Sequence, residues 1–207
     1  MADGGVTVKK GRKFDQVLIG ARDVFMRDGF EGASVDDIAR NAGVSKATLY
    51  SYFPDKRLLF MEVAKLECAR QSQAAIATID RNASVDVVLR DIAQQLVGFI
   101  MSEFGRRIFR ICVAESDRFP ALGQEFYESG PMVARAAIME YLTTAVDRGE
   151  LAIEDIELAA DQFAELCKAD LFPRMVFKQT TEFSKAETSR VIKGAVEMFM
   201  ARYGVTA

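Results

Sequence analysis

Residues 34–58 read SVDDIARNAGVSKATLYSYFPDKRL, and this stretch decides how the rest of the chain is interpreted. Ser34 is placed to cap one short helix and Ser45 to cap the next. Gly43 lies between them and supplies the freedom of a sharp turn, since only glycine takes positive φ without steric cost. Pro54 ends the second helix, because the residue before a proline disfavours the α region. The spacing predicts a helix-turn-helix with two steeply crossed helices.

The second predicted helix presents hydroxylated, aromatic and cationic side chains, which suit base edges and phosphates in a major groove. We predict that Lys46 donates to guanine and that Ala47 contacts a thymine methyl group. Most of the other predicted DNA-binding residues are expected to contact phosphate groups of the DNA backbone. The predicted DNA-binding residues are Ser34, Lys46, Ala47, Thr48, Tyr50, Ser51, Tyr52 and Lys56.

A known family shares this pattern. The run GVSKATLYSYFPDKRLLF at 43–60, preceded by DDIARNA at 36–42, resembles the DNA-binding head of TetR-type repressors. With the preceding helix and FEGASVDDIA, the resemblance covers about residues 12–62. The alternative is a surface helical hairpin in another all-α protein. That alternative leaves the small exposed face of hydroxyls, rings and one amine unexplained.

Composition excludes several classes of protein. The 207 residues contain no run of about 18 apolar residues, so no transmembrane helix is predicted. The start of the chain, MADGGVTVKKGRK, has basic residues without an apolar stretch after them, which predicts a cytoplasmic protein without a signal peptide. There is no histidine, the commonest metal ligand and general base. We therefore expect no enzyme, no metal site and no cofactor.

Charge is unevenly distributed along the chain. Residues 1–60 carry 10 Lys/Arg and 8 Asp/Glu, whereas the remainder carries 17 and 22. Residues 1–11 are interpreted as a flexible basic arm. Two readings stay open for the basic cluster ahead of the first helix: it follows a phosphate backbone, or it is a solvated tail. The cluster comprises Lys9, Lys10, Arg12 and Lys13.

Helical periodicity runs through the whole chain and predicts an all-α fold of about nine helices. Residues 12–58 form the three-helix DNA-binding head, and residues 59–207 form a helical effector-binding and dimerisation domain. A fourth helix, from residue 55 to about 81, links the two. A later helix from Asp155 toward Lys178 is expected to kink or end at Pro173. The predicted core of the head is Phe14, Leu18, Phe25, Phe30, Ile38, Leu49 and Phe53.

The second domain is rich in side chains that line apolar pockets. Residues 83–207 hold 10 of the 15 Phe and 6 of the 9 Met, although most of these are ordinary core. The stretch at 106–131, RRIFRICVAESDRFPALGQEFYESGP, resembles ligand domains of the AcrR-like branch. In proteins that this chain resembles, the second domain binds a small effector, and the Phe and Met content predicts a largely apolar one. The predicted pocket residues are Phe99, Phe104, Phe109, Cys112, Phe126, Met132, Met139 and Phe163.

The last two long helices carry apolar stripes, which are more often core than interface. In TetR-like proteins, two such helices from each subunit form the dimer contact, so the resemblance implies a homodimer that reads a palindromic operator. The stripes are Leu158, Phe163, Leu166 and Ala169 on one helix, and Val191, Ile192, Ala195, Val196 and Phe199 on the other.

The function predicted from these features is a DNA-binding repressor that a small effector releases from its operator. An activator or dual regulator is an alternative, because promoter position decides the sign of regulation. A helical module that binds another protein is a further alternative. The three cysteines, Cys68, Cys112 and Cys167, are interpreted as buried reduced thiols, with a redox sensor as the other reading.

Overall fold

The computed structural model describes residues 11–117, 120–177, 180 and 182–205. These residues form helices joined by short turns, and the one bridge among them pairs Leu151 with Gly204. The predicted all-α fold class is confirmed. The helices are α1 (Arg12–Gly32), α2 (Val35–Asn41), α3 (Lys46–Tyr52), α4 (Lys56–Ala77), α5 (Val85–Met101), α6 (Glu103–Glu115), α7 (Pro120–Ser129), α8 (Pro131–Asp147), α9 (Ile156–Leu166), α10 (Leu171–Val176) and α11 (Lys185–Tyr203).

The chain divides into two compact units, and all three boundaries fall inside helices. The first unit extends to Glu67 and includes Ile111–Gly123, so it takes the start of α4, the end of α6 and the start of α7. The second unit comprises Cys68–Arg110 and Gln124–Ala207. The functional division predicted from sequence, with an effector-binding domain from residue 59, stays a prediction.

Aromatic side chains build the core of the first unit. Phe14 stacks on Phe53 with a centroid distance of 5.3 Å, and Phe25 meets Phe60 edge to face at 5.0 Å. Phe30 is half-buried against both Phe25 and Phe60. The remaining predicted core residues are buried as expected: Leu18, Ile38 and Leu49.

The second unit has one hydrophobic core built by α5, α8, α9 and α11. Phe163 and Phe199 meet edge to face at its centre, with ring centroids 5.1 Å apart. The apolar stripe of α11 is buried in this core, and so is Phe163 of the α9 stripe, whereas Leu158 is exposed. The stripe of α11 is therefore an intramolecular packing surface, whereas Leu158 and Ala169 leave part of the other stripe exposed.

The predicted helix from Asp155 toward Lys178 is two helices. α9 ends at Leu166, and Asp170 takes a φ of +66° in the turn before α10. Pro173 lies in the first turn of α10, where its missing N–H leaves no helical hydrogen bond unmade. The break therefore precedes the proline instead of occurring at it. The capping box predicted at Ser184 and Glu187 is present at the start of α11.

Candidate nucleic-acid interface and effector cavity

The turn between α2 and α3 has the local geometry that the sequence predicts. The Ser34 hydroxyl accepts a hydrogen bond from the Asp37 backbone N–H at 3.0 Å, and the Ser45 hydroxyl accepts one from Thr48 at 3.1 Å. Gly43 has a φ of +63°, which supports its predicted role in the turn. Each short helix is thus fixed at its first turn by a side chain of its own sequence.

α3 presents most of the predicted DNA-binding side chains to solvent. Lys46, Ala47 and Ser51 are exposed, and Tyr50 keeps 48% of its surface accessible. Leu49 is buried and anchors the opposite side of the helix. We define the recognition face as Lys46, Ala47, Tyr50 and Ser51.

The other predicted residues on these helices have partners in the head, and so does Ser51, whose hydroxyl donates to the Thr48 backbone carbonyl at 2.7 Å. Tyr52 is half-buried, and its ring meets Phe14 edge to face at a centroid distance of 5.7 Å. The hydroxyls of Ser45 and Thr48 lie 2.9 Å apart. The Ser34 hydroxyl donates to the Asp37 carboxylate at 2.6 Å, and this hydrogen bond lowers the pKa of Asp37. Phosphate contacts by these residues stay predictions.

Lys56 has a structural role that its sequence position did not reveal. Its Nζ donates to the backbone carbonyls of Phe30 at 2.9 Å and Ala33 at 3.0 Å, and lies 4.5 Å from the Phe30 ring centroid. These carbonyls belong to the irregular end of α1, where Gly29 has a φ of +71°. Lys56 therefore ties the start of α4 to the junction of α1 and α2, and its predicted phosphate contact stays a prediction.

Lys46 forms an ion pair with Asp36 of α2, with Nζ and Oδ1 2.5 Å apart. Both side chains remain more than half exposed, so solvent screens the pair and a phosphate or base can compete for the ammonium group. Asp36 also places a negative charge beside the recognition face, where it opposes an approaching phosphate backbone.

We predict that Asp36→Asn tightens operator binding, because it frees Lys46 and removes this repulsion. The expected gain is about two- to fivefold in Kd at 0.1 M salt, the range of an exposed ion pair. Fluorescence anisotropy with labelled duplex measures it. Asp23→Asn, the same charge change at an exposed position on α1, is the matched control. Equal affinities of the two variants would show that the pair does not restrain Lys46.

A cavity of about 770 Å³ lies within the second unit. Its wall includes six aromatic side chains: Phe99, Phe109, Phe126, Tyr127, Tyr141 and Phe172. Phe109 and Phe172 meet edge to face at a centroid distance of 5.2 Å. The size is within the 300–1,000 Å³ range typical of small-molecule sites.

Three of the eight predicted pocket residues line this cavity: Phe99, Phe109 and Phe126. The other five lie outside this cavity, and their contact with an effector stays a prediction. Phe163 is central to the core of the second unit, and Met139 packs against that core. Cys112 lies in the first unit, with its thiol 3.5 Å from the Met61 sulfur. Phe104 is half-buried on α6 and Met132 is exposed on α8.

Sequence reasoning missed Tyr127, Tyr141, Phe172 and the charged side chains of the wall. All of these charged groups are in ion pairs: Arg81 with Glu140 at 2.7 Å, Arg135 with Asp161 at 2.8 Å and Glu157 at 3.0 Å, and Lys168 with Glu165 at 2.5 Å. The hydrogen bond to Asp161, followed by that to Glu157, raises the pKa of Arg135. The cavity thus combines an aromatic surface with charges that are already neutralised.

Cys68, Cys112 and Cys167 are all buried. Burial raises the pKa of Cys167 to about 12, so this thiol stays protonated at neutral pH. Cys68 lies on the cavity wall. The arrangement favours structural thiols over a redox sensor.

We predict that the folded protein reacts slowly with a thiol-specific disulfide reagent at pH 8, because a buried thiol is neither ionised nor accessible. All three cysteines should react after unfolding in guanidinium chloride. Absorbance of the released thiolate measures both rates. Rapid labelling of one thiol in the folded protein would identify a reactive cysteine and support the redox reading.

Two features of the described residues bear on other classes of function. No group of three or more His, Cys, Asp or Glu that could hold a metal ion occurs in that part of the chain. None of the helices formed by these residues is long and apolar enough to cross a membrane.

A helix-turn-helix head followed by a second helical unit defines the class of DNA-binding transcriptional regulators. Family models support this assignment. Residues 17–63 match the model of bacterial regulatory proteins of the tetR family, and residues 87–205 match the C-terminal domain of AefR-like transcriptional repressors. The chain belongs to the TetR family of transcriptional regulators.

Individual relatives are similar to this chain over most of its length. The transcriptional regulator YezE of Bacillus subtilis is 26% identical over 156 residues, which cover 73% of this chain and 80% of YezE. A solved TetR-family regulator from Mesorhizobium loti is 30% identical with a TM-score of 0.81, covering 94% of this chain and 98% of that one. The flavonoid-responsive regulator FrrA is 33% identical with a TM-score of 0.72, covering 96% and 100%. These matched proteins are regulators of transcription, not enzymes.

Proposed function

We propose that this TetR-family regulator is a cytoplasmic homodimeric repressor that binds a palindromic operator and is released by a small, uncharged aromatic effector. The DNA-binding part of this proposal rests on the recognition face. It places an amine, a methyl, a phenol and a hydroxyl on the exposed side of a helix whose opposite side is anchored by Leu49. This surface has the donors and apolar contacts that read a major groove.

The DNA contact proposed for each residue follows from the chemistry of its side chain. Lys46 donates to the acceptor atoms of guanine, and Ala47 contacts a thymine methyl group. Tyr50 donates its hydroxyl to a phosphate, and Ser51 lies beside it on the same exposed face. The remaining phosphate contacts are proposed for Ser34, Thr48, Tyr52 and Lys56.

A dimer is required because one recognition helix contacts too few base pairs for specific binding. Two heads presented by a two-fold axis read half-sites about 34 Å apart or at multiples of that spacing. The proposed contact uses the outer faces of α9 and α11, since their inner faces are buried in the protein's own core. Leu158 of α9 is 50% exposed and Met198 of α11 is 62% exposed, which supports apolar contact on these faces.

The effector class is inferred from the cavity wall. Six aromatic side chains on the wall offer ring faces and edges to a planar ligand, and aromatic pairs gain about 0.5–1.5 kcal/mol beyond their buried area. A charged ligand would have to compete with ion pairs already formed by Arg81, Arg135 and Lys168. An uncharged ligand avoids that cost. The relative FrrA is named as flavonoid-responsive, which supports an effector of similar chemistry here.

The DNA half is tested with Lys46→Ala and Tyr50→Ala, using an operator selected by the parent protein from a pool of random duplexes. Each substitution is expected to weaken operator binding about ten- to hundredfold, the cost of losing a good contact in each of two half-sites. Binding is measured by anisotropy at fixed salt.

Lys185→Ala removes the same charge from an exposed position of α11 and should leave operator affinity within a factor of two. If both recognition-face variants bind as tightly as the parent, the assignment is wrong. Steep weakening with rising salt separates DNA binding from an apolar protein contact, which salt does not weaken. In vitro transcription from a promoter carrying the operator distinguishes repression from activation.

A further inference from the structure

The second unit has another cavity, a groove between α5 and α11 with a volume of about 510 Å³. We define this α5–α11 groove by three cationic and three apolar side chains of its wall: Arg90, Lys185, Lys193, Val97, Met101 and Ile192. Among the described residues, Gly98 alone borders both this groove and the effector cavity of about 770 Å³. The groove is therefore a separate space, and its size is typical of small-molecule sites.

The floor of the groove is apolar. Val97 and Ile192 belong to the core of the second unit, and Met101 packs against that core. Gly98 adds no side chain to this part of α5, and nothing lies within 4 Å of the position that a Cβ would take. The groove thus offers an open apolar surface, and a chain that covers it gains free energy from the area removed from water.

Every charged side chain on the wall of the groove is cationic. Lys185 forms no ion pair with any residue that the structure describes. Arg90 is paired with Asp86 on its own helix at 3.8 Å. Lys193 is paired with Glu197 on α11 at 3.6 Å. Both distances exceed that of a hydrogen bond and both pairs are exposed, so an anion in the groove can compete for these cations.

The charge of the groove is opposite to that of the unit that carries it. Residues 68–110 and 124–207 together contain 15 Lys/Arg and 18 Asp/Glu. In the effector cavity, each cation of the wall is paired with a carboxylate at 3.0 Å or less. The groove therefore combines an apolar floor with weakly engaged positive charge, which complements an amphipathic anion.

The cations are spread along the groove instead of gathered at one point. Lys185 and Lys193 are eight residues apart on α11, which corresponds to about 12 Å of helical rise. Ile192 of the floor lies between them in the sequence. A phosphate dianion needs several cations that converge on it, whereas one carboxylate with an apolar chain fits this arrangement.

The groove and the proposed dimer contact lie on different sides of α11. Met198, which supports that contact, follows Lys193 by five residues, and a helix turns by about 100° per residue. The two side chains therefore point about 140° apart around the helix axis. A partner subunit on the Met198 side does not fill the groove.

We propose that the α5–α11 groove is a second ligand site that binds a free aliphatic carboxylate, such as a medium-chain fatty acid. The chain covers the apolar floor, and the carboxylate accepts charge-assisted hydrogen bonds from cations of the wall. Gln94 and Ser189 are exposed side chains of the same wall and donate further hydrogen bonds to the carboxylate. Binding at this site requires neither the operator nor the effector cavity, so the site goes beyond the proposed function.

The test measures binding of decanoate to the full chain by isothermal titration at low salt. Ala137→Phe places a ring in the effector cavity, so binding that persists in this variant occurs outside that cavity. We expect one decanoate per chain, and at least tenfold weaker binding of decanol, which lacks the charge. Acetate, which lacks the chain, should show no saturation, and rising salt should weaken decanoate binding. The parent saturated with flavone replaces Ala137→Phe if that variant does not fold.

Lys185→Gln and Lys193→Gln should each weaken decanoate binding about fivefold or more, the scale of a charge-assisted hydrogen bond at a partly exposed site. Arg202→Gln removes the same charge from an exposed position of α11 outside the groove, and as the matched control it should stay within a factor of two. Lys185→Arg keeps the cation and should keep most of the affinity. Operator affinity and flavone binding should be unchanged in all four variants.

Ser189→Phe tests the space of the groove without changing its charge. The added ring occupies the room of the ligand chain and should weaken decanoate binding at least tenfold. Ala186→Phe makes a similar addition at an exposed position of α11 outside the groove wall and should bind decanoate like the parent. Circular dichroism melting shows whether each variant folds.

Loss of decanoate binding when the effector cavity is filled would show that the carboxylate uses that cavity, and would overturn the groove site. Equal binding of decanoate and decanol, or binding like the parent by both glutamine variants, would overturn the role assigned to the cations. A parent protein that selects no operator would contradict the proposed function but leave the decanoate titration as it is. The two failures are therefore distinguishable.

Discussion

Gly20→Ala is expected to destabilise the DNA-binding head and weaken operator binding at least tenfold at 37 °C. Gly20 lies on α1 where the helix passes the end of α2, and an added Cβ would come within 2.6 Å of the N, Cα and Cβ atoms of Ala42. Those atoms are backbone or fixed to it, so no side-chain rotation relieves the clash. Asn41 Nδ2 also donates to the Gly20 carbonyl at 3.0 Å, which holds the two helices close.

Overpacking of this kind costs about 1–3 kcal/mol or more, a large share of the stability of a small unit. We expect a fall of roughly 5 °C or more in the melting temperature of the head and at least a tenfold loss of operator affinity. Circular dichroism melting and anisotropy measure the two effects. Gly98→Ala on α5 is the control, since nothing lies within 4 Å of its Cβ position.

The control is expected to be neutral or stabilising by about 0.4–1 kcal/mol, because alanine reduces the freedom of the unfolded chain. A Gly20→Ala variant that melts and binds like the parent would contradict the close approach of α1 and α2. The comparison separates a steric effect from the general effect of replacing a helical glycine.

The head could be predicted from sequence because its signals are local. Ser34 and Ser45 cap their helices through contacts three residues away, and Gly43 supplies positive φ within the turn itself. Such signals depend only on neighbouring residues, so they can be read without knowing the fold. The capping box at Ser184 and Glu187 was predictable for the same reason.

Contacts between distant residues could not be predicted in this way. Lys56 matches a surface position in the head pattern, yet its ammonium group lies against carbonyls more than twenty residues away in the chain. The partner of Lys46 is Asp36, on the preceding helix. Charge alone does not indicate which of several carboxylates or carbonyls a lysine will meet.

The lining of the cavity shows a further limit of prediction from sequence. Helical periodicity places Phe163 and Phe109 on apolar faces, but it does not distinguish a face that packs on another helix from one that borders a void. Phe163 packs against Phe199 in the core, whereas Phe109 lines the cavity beside Phe172. The difference is set by how closely the helices approach each other, which no single helix encodes.

Ala137→Phe is expected to produce a regulator that binds its operator normally but no longer responds to effector. Ala137 is a small side chain of α8 on the cavity wall, and phenylalanine at this position occupies space that a ligand needs. A forced overlap costs about 1–3 kcal/mol, which corresponds to roughly a five- to hundredfold loss of effector affinity. The recognition face belongs to the other compact unit, so the substitution changes none of the residues proposed to contact DNA.

The measurement uses flavone, an uncharged planar aromatic, as the probe. In the parent, flavone should release labelled operator in a concentration-dependent manner, and isothermal titration should show binding to the free protein. Stearate, an aliphatic anion, should release the operator at least tenfold less effectively. It has no aromatic ring, and the charged groups of the cavity wall are already paired. Release by stearate but not by flavone would contradict the proposed effector class.

Ala136→Phe is the matched control for the cavity. It makes the same change one residue earlier on α8, at an exposed position outside the cavity wall. We expect this variant to respond to flavone like the parent, because a ring pointing into solvent leaves the cavity empty. If both variants respond equally, the effector binds elsewhere. If Ala137→Phe alone loses the response while keeping its operator affinity, ligand binding in this cavity is what releases the DNA.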